Sequence, residues 1–409
     1  MAAYSAAYPS ARKAVAVLRS GAVGAVLFFS ICAAGSYAAA QTSINDAKVV
    51  DPTASFVDVV GRRMALAYAT TPRLVVALSW KKGCVGSAQP APPTGRMMIP
   101  PHYLNGNYGP VNPAEAQAAA PYRQLAEAVS AGASRYLASG DPAEAVCVAN
   151  LLSEWAAAKA LLNYSYRESP QAWYQVEWTL SAASLAWSVV ANEPAIPAGQ
   201  SAAIVRWMHD VMERKLAQNP HPGDRRRENN HAYWRALCET SVGILASDNK
   251  LYHRGLAQYA RALGQMNPDG SFPLEMARHE NALHYQSFAL EPLVMIAELA
   301  RRQGVDLYSL KVHGHALADA VNFLVSASAN PALVRQYASE PQTFSLFSGR
   351  KPPAWTEFWA ARHAGQPWSE LLTQPLFDAN LGGNATLYAA PAQSGGPGSG
   401  ASTAASRLQ

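Results

Sequence analysis

Long β-branched runs are scarce in this 409-residue chain, and helix formers, alanine above all, fill their place. Such a sequence is expected to build a mostly helical protein with a sizeable core. Cysteine is sparse as well. Four are present, and none stands with histidine at a zinc-binding spacing, so neither a metal site nor another cofactor is expected. The apolar run near the N-terminus is short for a membrane span. No exact internal repeat is visible, which argues against a consensus solenoid.

What is present begins with a targeting pattern. Arg12, Lys13 and Arg19 precede Val23, Val26, Leu27, Phe28, Phe29 and Ile31, and Ala38-Ala39-Ala40 stands ahead of Gln41. Residues 1–40 therefore read as a secretory signal, giving a periplasmic or secreted protein without stable membrane insertion. Its removal takes three cations from the formal net charge of +5, and what remains does not imply nucleic acid. Export also changes the cysteine count, because Cys32 leaves with the signal. Cys84 lies in a Gly/Pro-rich loop, whereas Cys147 and Cys238 fall in alanine-rich helical patterns. The expectation is a Cys84–Cys147 disulfide, with Cys238 a small core residue.

Beyond the signal, residues 41–388 read as a single domain. Residues 56–67 are helical in pattern, but 80–121 are not. Pro90, Pro92, Pro93, Pro100, Pro101, Gly106, Gly109, Pro110 and Pro113 make this stretch a long loop, and long loops inside compact domains are usually functional or disordered. It carries Arg96, His102, Tyr103, Asn105, Asn107 and Tyr108, so a lid or binding loop is expected. Helical patterns then follow at 122–138, 143–163, 172–191, 198–217, 230–247, 250–266, 279–303 and 307–328. Antiparallel helix pairs without strand signals predict an all-α array, open or closed into a ring. Residues 341–388 are aromatic and irregular, and the Gly/Ser/Ala-rich stretch 389–409 is expected to be a disordered tail.

Two stretches carry candidate chemistry. The first, Arg225–Ala236, sends three arginines into Asn229, Asn230, His231, Tyr233 and Trp234. Asn229 or Asn230 is a good N-cap. His231 then sits at the opening of a helix, where backbone donors and the dipole favour an anion. In the second stretch, Arg278 and Tyr285 are seven apart, which puts them on one face if both are helical. A guanidinium lowers the cost of a nearby tyrosinate, whose ordinary pKa is ~10.

The elements Asn229-Asn230-His231-x-Tyr233-Trp234, Pro273-x-Glu275-x-x-Arg278 and Ala282-Leu283-x-Tyr285-x-x-x-Ala289-Leu290-x-Pro292-Leu293 resemble the alginate lyases of polysaccharide lyase family five. So do Pro92-Pro93-Thr94-Gly95, His102-Tyr103, the segment around Trp155, Trp178, and Leu381-Gly382-Gly383. The resemblance implies an incomplete (α/α) toroid that cleaves mannuronate-rich alginate by β-elimination without a metal. It implies that Asn230 and Arg278 neutralise the C5 carboxylate and that Tyr285 acts at the C5 proton and at O4. His231 would be a neutral base, or would keep Tyr285 reactive. Tyr103 would close over the substrate and Trp178 would offer a sugar platform, with His102, Tyr233, Trp234 and Lys82 as further substrate-binding positions. Departures from the pattern are Asn380 before Leu-Gly-Gly, Lys82-Gly83 before Cys84, and Tyr103 after His102. Arg225–Arg227 would supply compensating charge near the cleft.

An anionic polysaccharide is thus the expected partner of a monomeric enzyme. A lyase for another polyuronate, such as polyglucuronate, is the near alternative, because the two uronates differ at C2 and not at the reacting carbons. A glycoside hydrolase would need two carboxylates across the bond, and no Asp/Glu pair stands out beside these motifs. A non-catalytic polyuronate-binding protein would have no need of Tyr285 and His231. If the N-terminal reading is right, mass spectrometry of the exported protein will find Gln41 as its first residue. A mature chain that keeps Arg12 and Lys13 would contradict it.

Overall fold

The computed structural model describes residue 44 and residues 46–105, 109–224 and 228–391. The expected signal sequence, Gly106, Asn107 and Tyr108 of the loop, Arg225–Arg227, and the tail from 392 onward lie outside the described residues.

Long helices start where a capping side chain precedes a proline. Asn112, Asp141 and Ser169 accept hydrogen bonds from the first turns of α3 (Pro113–Ser139), α4 (Pro142–Ala157) and α5 (Pro170–Val190). A proline at the first helical position lacks only an amide that would have been unpaired anyway. This corrects the expectation of a loop reaching 121. Pro113 opens α3, and the helix runs on through Pro121, where its buried face of Tyr122, Leu125, Ala126 and Val129 outweighs one lost backbone bond. Two shorter helices precede it, α1 (Val59–Ala67) and α2 (Pro72–Ser79).

The chain continues through α6 (Ala198–Ala217), α7 (Asn230–Leu245), α8 (Asn249–Gly264), the single turn α9 (Pro273–Met276), α10 (Ala282–Arg302) and α11 (Leu317–Ala329). α4 stops before the expected 163 because Lys159 and Leu161 turn left-handed, with φ of 51° and 63°. α11 starts later than the expected 307, after a tight turn bridging Val312 and His315. Helices α3, α5, α7 and α10 pack side by side, and each pairs with an outer partner, α4, α6, α8 and α11. The result is an incomplete (α/α) toroid of antiparallel pairs, in which the four inner helices run parallel. Their N-terminal ends therefore open on one side.

Close approach between α7 and α8 depends on glycine. A Cβ on Gly255 would lie 2.1 Å from Thr240 Oγ1 and 2.8 Å from the Ala236 carbonyl. The C-terminal region, expected to be irregular, supplies α12 (Trp355–Arg362) and a pair of two-residue strands, Phe377–Asp378 and Gly383–Asn384. Their turn is Leu381-Gly382-Gly383, where φ is 82° and 124° at the two glycines. A side chain on Gly383 would strike Ser134 Oγ at 2.2 Å, so this turn lies flat on α3.

Most of the long loop is fastened down. Cys84 is bonded to Cys147 of α4, Trp155 Nε1 donates to the Pro90 carbonyl at 2.9 Å, and Ser169 Oγ exchanges hydrogen bonds with Ile99. Cys238 is buried and free. Because the bridge closes 63 residues of chain, replacing Cys147 with serine should cost about 2–4 kcal/mol in urea unfolding. An unchanged unfolding midpoint would mean that the other anchors alone hold the loop.

Candidate active site

At the open end of the inner ring a buried carboxylate organises three helices. Glu177 of α5 is fully buried, as is Lys215 of α6, and their charged atoms are 2.9 Å apart. Lys215 also donates to the Trp173 carbonyl at 2.7 Å and lies 3.3 Å from the centre of the Trp173 ring. Burial pushes this ammonium down to about 8, against the opposing pull of Glu177. The second oxygen of Glu177 meets His231 Nδ1 at 2.8 Å. Burial holds the imidazole below its ordinary 6.5, with the Arg278 and Lys215 charges adding to the effect and Glu177 opposing it. A neutral imidazole bonded this way donates from Nδ1 and keeps the lone pair on Nε2. Tyr174 stacks on the same ring, centroids 3.7 Å apart.

Asn229 caps α7 by accepting from the His231 amide at 3.2 Å, and Asn230 is its first residue. The Asn230 amide N–H and side-chain Nδ2 both donate to Glu275, at 2.6 and 3.0 Å. Asn230 and Glu275 are each fully buried.

Arg278 is not helical, which corrects the premise of the seven-residue spacing. It precedes a 3-10 turn (His279–Asn281), His279 takes φ 53°, and α10 starts only at Ala282. That reversal, rather than two helical turns, folds the guanidinium over the Tyr285 ring, 4.2 Å from its centre. Burial raises the Tyr285 phenol above its usual value, and Arg278 partly offsets this. The Tyr285 hydroxyl meets the Tyr103 hydroxyl at 3.1 Å. Tyr103 is delivered from the loop by its bridge to Val111. A neutral base, a phenol under a fixed cation and a covering tyrosine thus converge at one opening.

A family model described as alginate lyase matches residues 78–334. A polysaccharide lyase of Stenotrophomonas maltophilia (strain K279a) is 33% identical over 335 residues, 80% of this chain and 96% of that protein. An alginate lyase of Pseudomonas putida (strain W619) is 28% identical across 66% of this chain and 74% of its own. Alginate lyase A1-III from Sphingomonas species A1 superposes with a TM-score of 0.78 at 42% identity, covering 85% of this chain and 98% of that one. The chain belongs to the alginate lyase family. It is a polysaccharide lyase.

A groove runs from Trp178 past Gln175 and Arg123 to Phe377, Ala379 and Asn380. Trp178 Nε1 and Gln175 Oε1 are buried here without hydrogen-bond partners among the described residues. Asn380, the departure noted in the sequence, therefore lines the same groove as Trp178. His102 meets the buried Glu115 at 3.3 Å, and Arg123 meets it at 2.5 Å. Three sequence assignments change. Tyr233 and Trp234 are core residues, 2% and 0% exposed: the helical period turns Tyr233 away from His231, and Trp234, one turn further in on the same face, is covered by Phe288. Lys82 pairs with Glu127 on the surface and reaches the groove only through that partner. Glu177 and Lys215 were missed altogether. The available signal was a lone acid within Val176-Glu177-Trp178, an apolar run, and a lysine at the end of a patterned helix. Two carboxylates do flank the motifs after all, but one is bonded to His231 and the other to Asn230.

Replacing Lys215 with methionine leaves Glu177 short of a partner in the core and should cost roughly 3–5 kcal/mol. His231 carries a depressed pKa, so the unfolded chain binds the extra proton first. Stability should fall as pH drops below 6.5. Flat stability from pH 7 to 5, or a Lys215→Met variant as stable as the parent, would refute the triad.

Proposed function

We propose that this lyase is specific for mannuronate-rich alginate and cleaves it by β-elimination, leaving a 4,5-unsaturated uronate. The observation that carries the reading is the Arg278 guanidinium stacked on the Tyr285 phenol beside an imidazole kept neutral. Elimination needs a cation where negative charge develops and a proton carrier at the reacting carbon.

In this reading Arg278 and Asn230 receive the C5 carboxylate. The N-terminal ends of the inner helices add favourable potential for the polyanion. His231 Nε2 takes the phenolic proton of Tyr285, which the adjacent guanidinium makes easier to lose. The phenolate removes the C5 proton, and the electron pair is stabilised as an enolate on the carboxyl group. C4–O4 then breaks, O4 takes the proton from Tyr285, and His231 returns its proton to the phenolate. In mannuronate the C5 proton and O4 lie on the same side of the ring, so one phenol can serve both. Tyr103 must open to admit the polymer and closes over it afterwards.

A1-III was solved with tetrasaccharide after one histidine was replaced by alanine and, separately, after one tyrosine was replaced by phenylalanine. Those residue types match the pair assigned here. The second reading, a lyase for polyglucuronate, draws on the broader name of the Stenotrophomonas relative and on neutral Asn380 in the groove. The Cys84–Cys147 bridge supports action outside the cytoplasm.

Tyr285→Phe keeps the ring under Arg278 and removes the proton carrier. Its kcat on polymannuronate should fall by about 10²–10⁴-fold with KM little changed, as read by ultraviolet absorbance of the unsaturated product. Retention of more than roughly a tenth of wild-type kcat would exclude this mechanism. A preference for polyglucuronate in the same assay would favour the second reading.

A further inference from the structure

Glu275 stands in the Pro273-x-Glu275-x-x-Arg278 motif, and the mechanism above gives it no role. Its carboxylate accepts both the backbone N–H and the Nδ2 of Asn230. This arrangement leaves the Asn230 Oδ1 buried without a hydrogen-bond partner among the described residues, which typically costs ~1–3 kcal/mol. It is also the wrong way round for catalysis. With one Nδ2 hydrogen given to Glu275, the unpaired atom of the amide is its oxygen, an acceptor, and an acceptor repels a uronate carboxylate.

Both problems have one solution. Amide oxygen and nitrogen are interchangeable in shape, and the bonds they make decide their orientation. If Glu275 carries a proton on Oε2, it donates to Asn230 Oδ1 while Oε1 still accepts the backbone N–H. The amide turns over, the orphan oxygen gains a donor, and Nδ2 takes the free position. We propose that Glu275 acts as a neutral carboxylic acid in the working enzyme, a positioning residue that holds Asn230 with its NH2 group toward the substrate carboxylate.

Charge balance points the same way. A bound uronate, an ionised Glu275 and Arg278 would leave one net negative charge in a buried space, whereas protonating Glu275 removes it. Burial raises the Glu275 carboxyl, with the Arg278 charge and the Asn230 bonds opposing. Among the described residues, the titratable groups facing it are Arg278 from its own segment, Tyr233 from α7 and Tyr285 from α10. The two tyrosines are neutral phenols at rest and do not stabilise an anion there.

The inference rests on the proposed use of Asn230 and Arg278 at the carboxylate, and the test separates the two. Glu275→Gln reproduces the neutral acid, since Oε1 accepts from the backbone and Nε2 donates to Asn230 Oδ1. The experiment compares kcat and KM on polymannuronate across pH for wild type, Glu275→Gln and Glu275→Ala, with thermal melts of each. Glu275→Gln should keep kcat within a few-fold of wild type and lose the decline that wild type shows as rising pH ionises Glu275. Glu275→Ala, with the amide unheld, should lose on the order of 10²-fold in kcat. An active wild type with an inactive or unfolded Glu275→Gln overturns this inference alone, because it would show that the anion is required. An Asn230→Ala variant with unaltered kinetics overturns the carboxylate reading, and this inference with it.

Discussion

The site depends first on a carboxylate that no water reaches. Glu177 is held by Lys215 on one side and binds His231 on the other, so α5, α6 and α7 are joined by charge at the level where the toroid opens. A buried pair of this kind contributes little net stability compared with apolar packing, but removing one member strands the other. Its value lies in specification. The triad fixes the imidazole ring, selects Nδ1 as the donor and keeps Nε2 basic, while burial and the two nearby cations keep the ring uncharged. The free thiol Cys238 joins the same knot by donating to the Glu177 carbonyl at 3.1 Å, and its complete burial shields it from oxidation.

The fold supplies the rest by geometry. Inner helices that all run one way bring their N-terminal ends to a single opening, and helix N-termini favour anions. The residues of the site sit there, on α5, α7 and α10 and on the reversal before α10. The long loop adds the cover. It is pinned by the disulfide, by Trp155 and by Ser169, and only its far part carries Tyr103 across to Tyr285. Anchoring most of a loop while the Tyr103 hydroxyl reaches over the opening suits a cover that must release a polymer.

Much of this was legible in the sequence. Helical periodicity located the toroid pairs and set most of their limits closely. It missed the first turns of α3, which opens at Pro113 rather than 122, and placed α11 too early, since it opens at Leu317 rather than 307. The Cys84–Cys147 pairing followed from loop against helix context. Where the reading failed, the cause was tertiary. Pro121 stops a helix only when no buried face carries it through. Tyr233 and Trp234 lie beside His231 in sequence, but the turn of α7 sends Tyr233 into the core and Phe288 of α10 covers Trp234. Arg278 and Tyr285 do meet, though through a left-handed His279 rather than a continuous helix. Glu177 and Lys215 stayed hidden because sequence periodicity does not reveal a cross-helix ion pair.

The most direct test is a crystal structure of the Tyr285→Phe variant with a mannuronate tetrasaccharide. The account predicts one uronate carboxylate against Arg278 and Asn230, with C5 turned toward the edge of the substituted ring and the platform of Trp178 under a neighbouring sugar. A polymer bound with its carboxylates away from Arg278, or lying along the Lys82 surface, would contradict it.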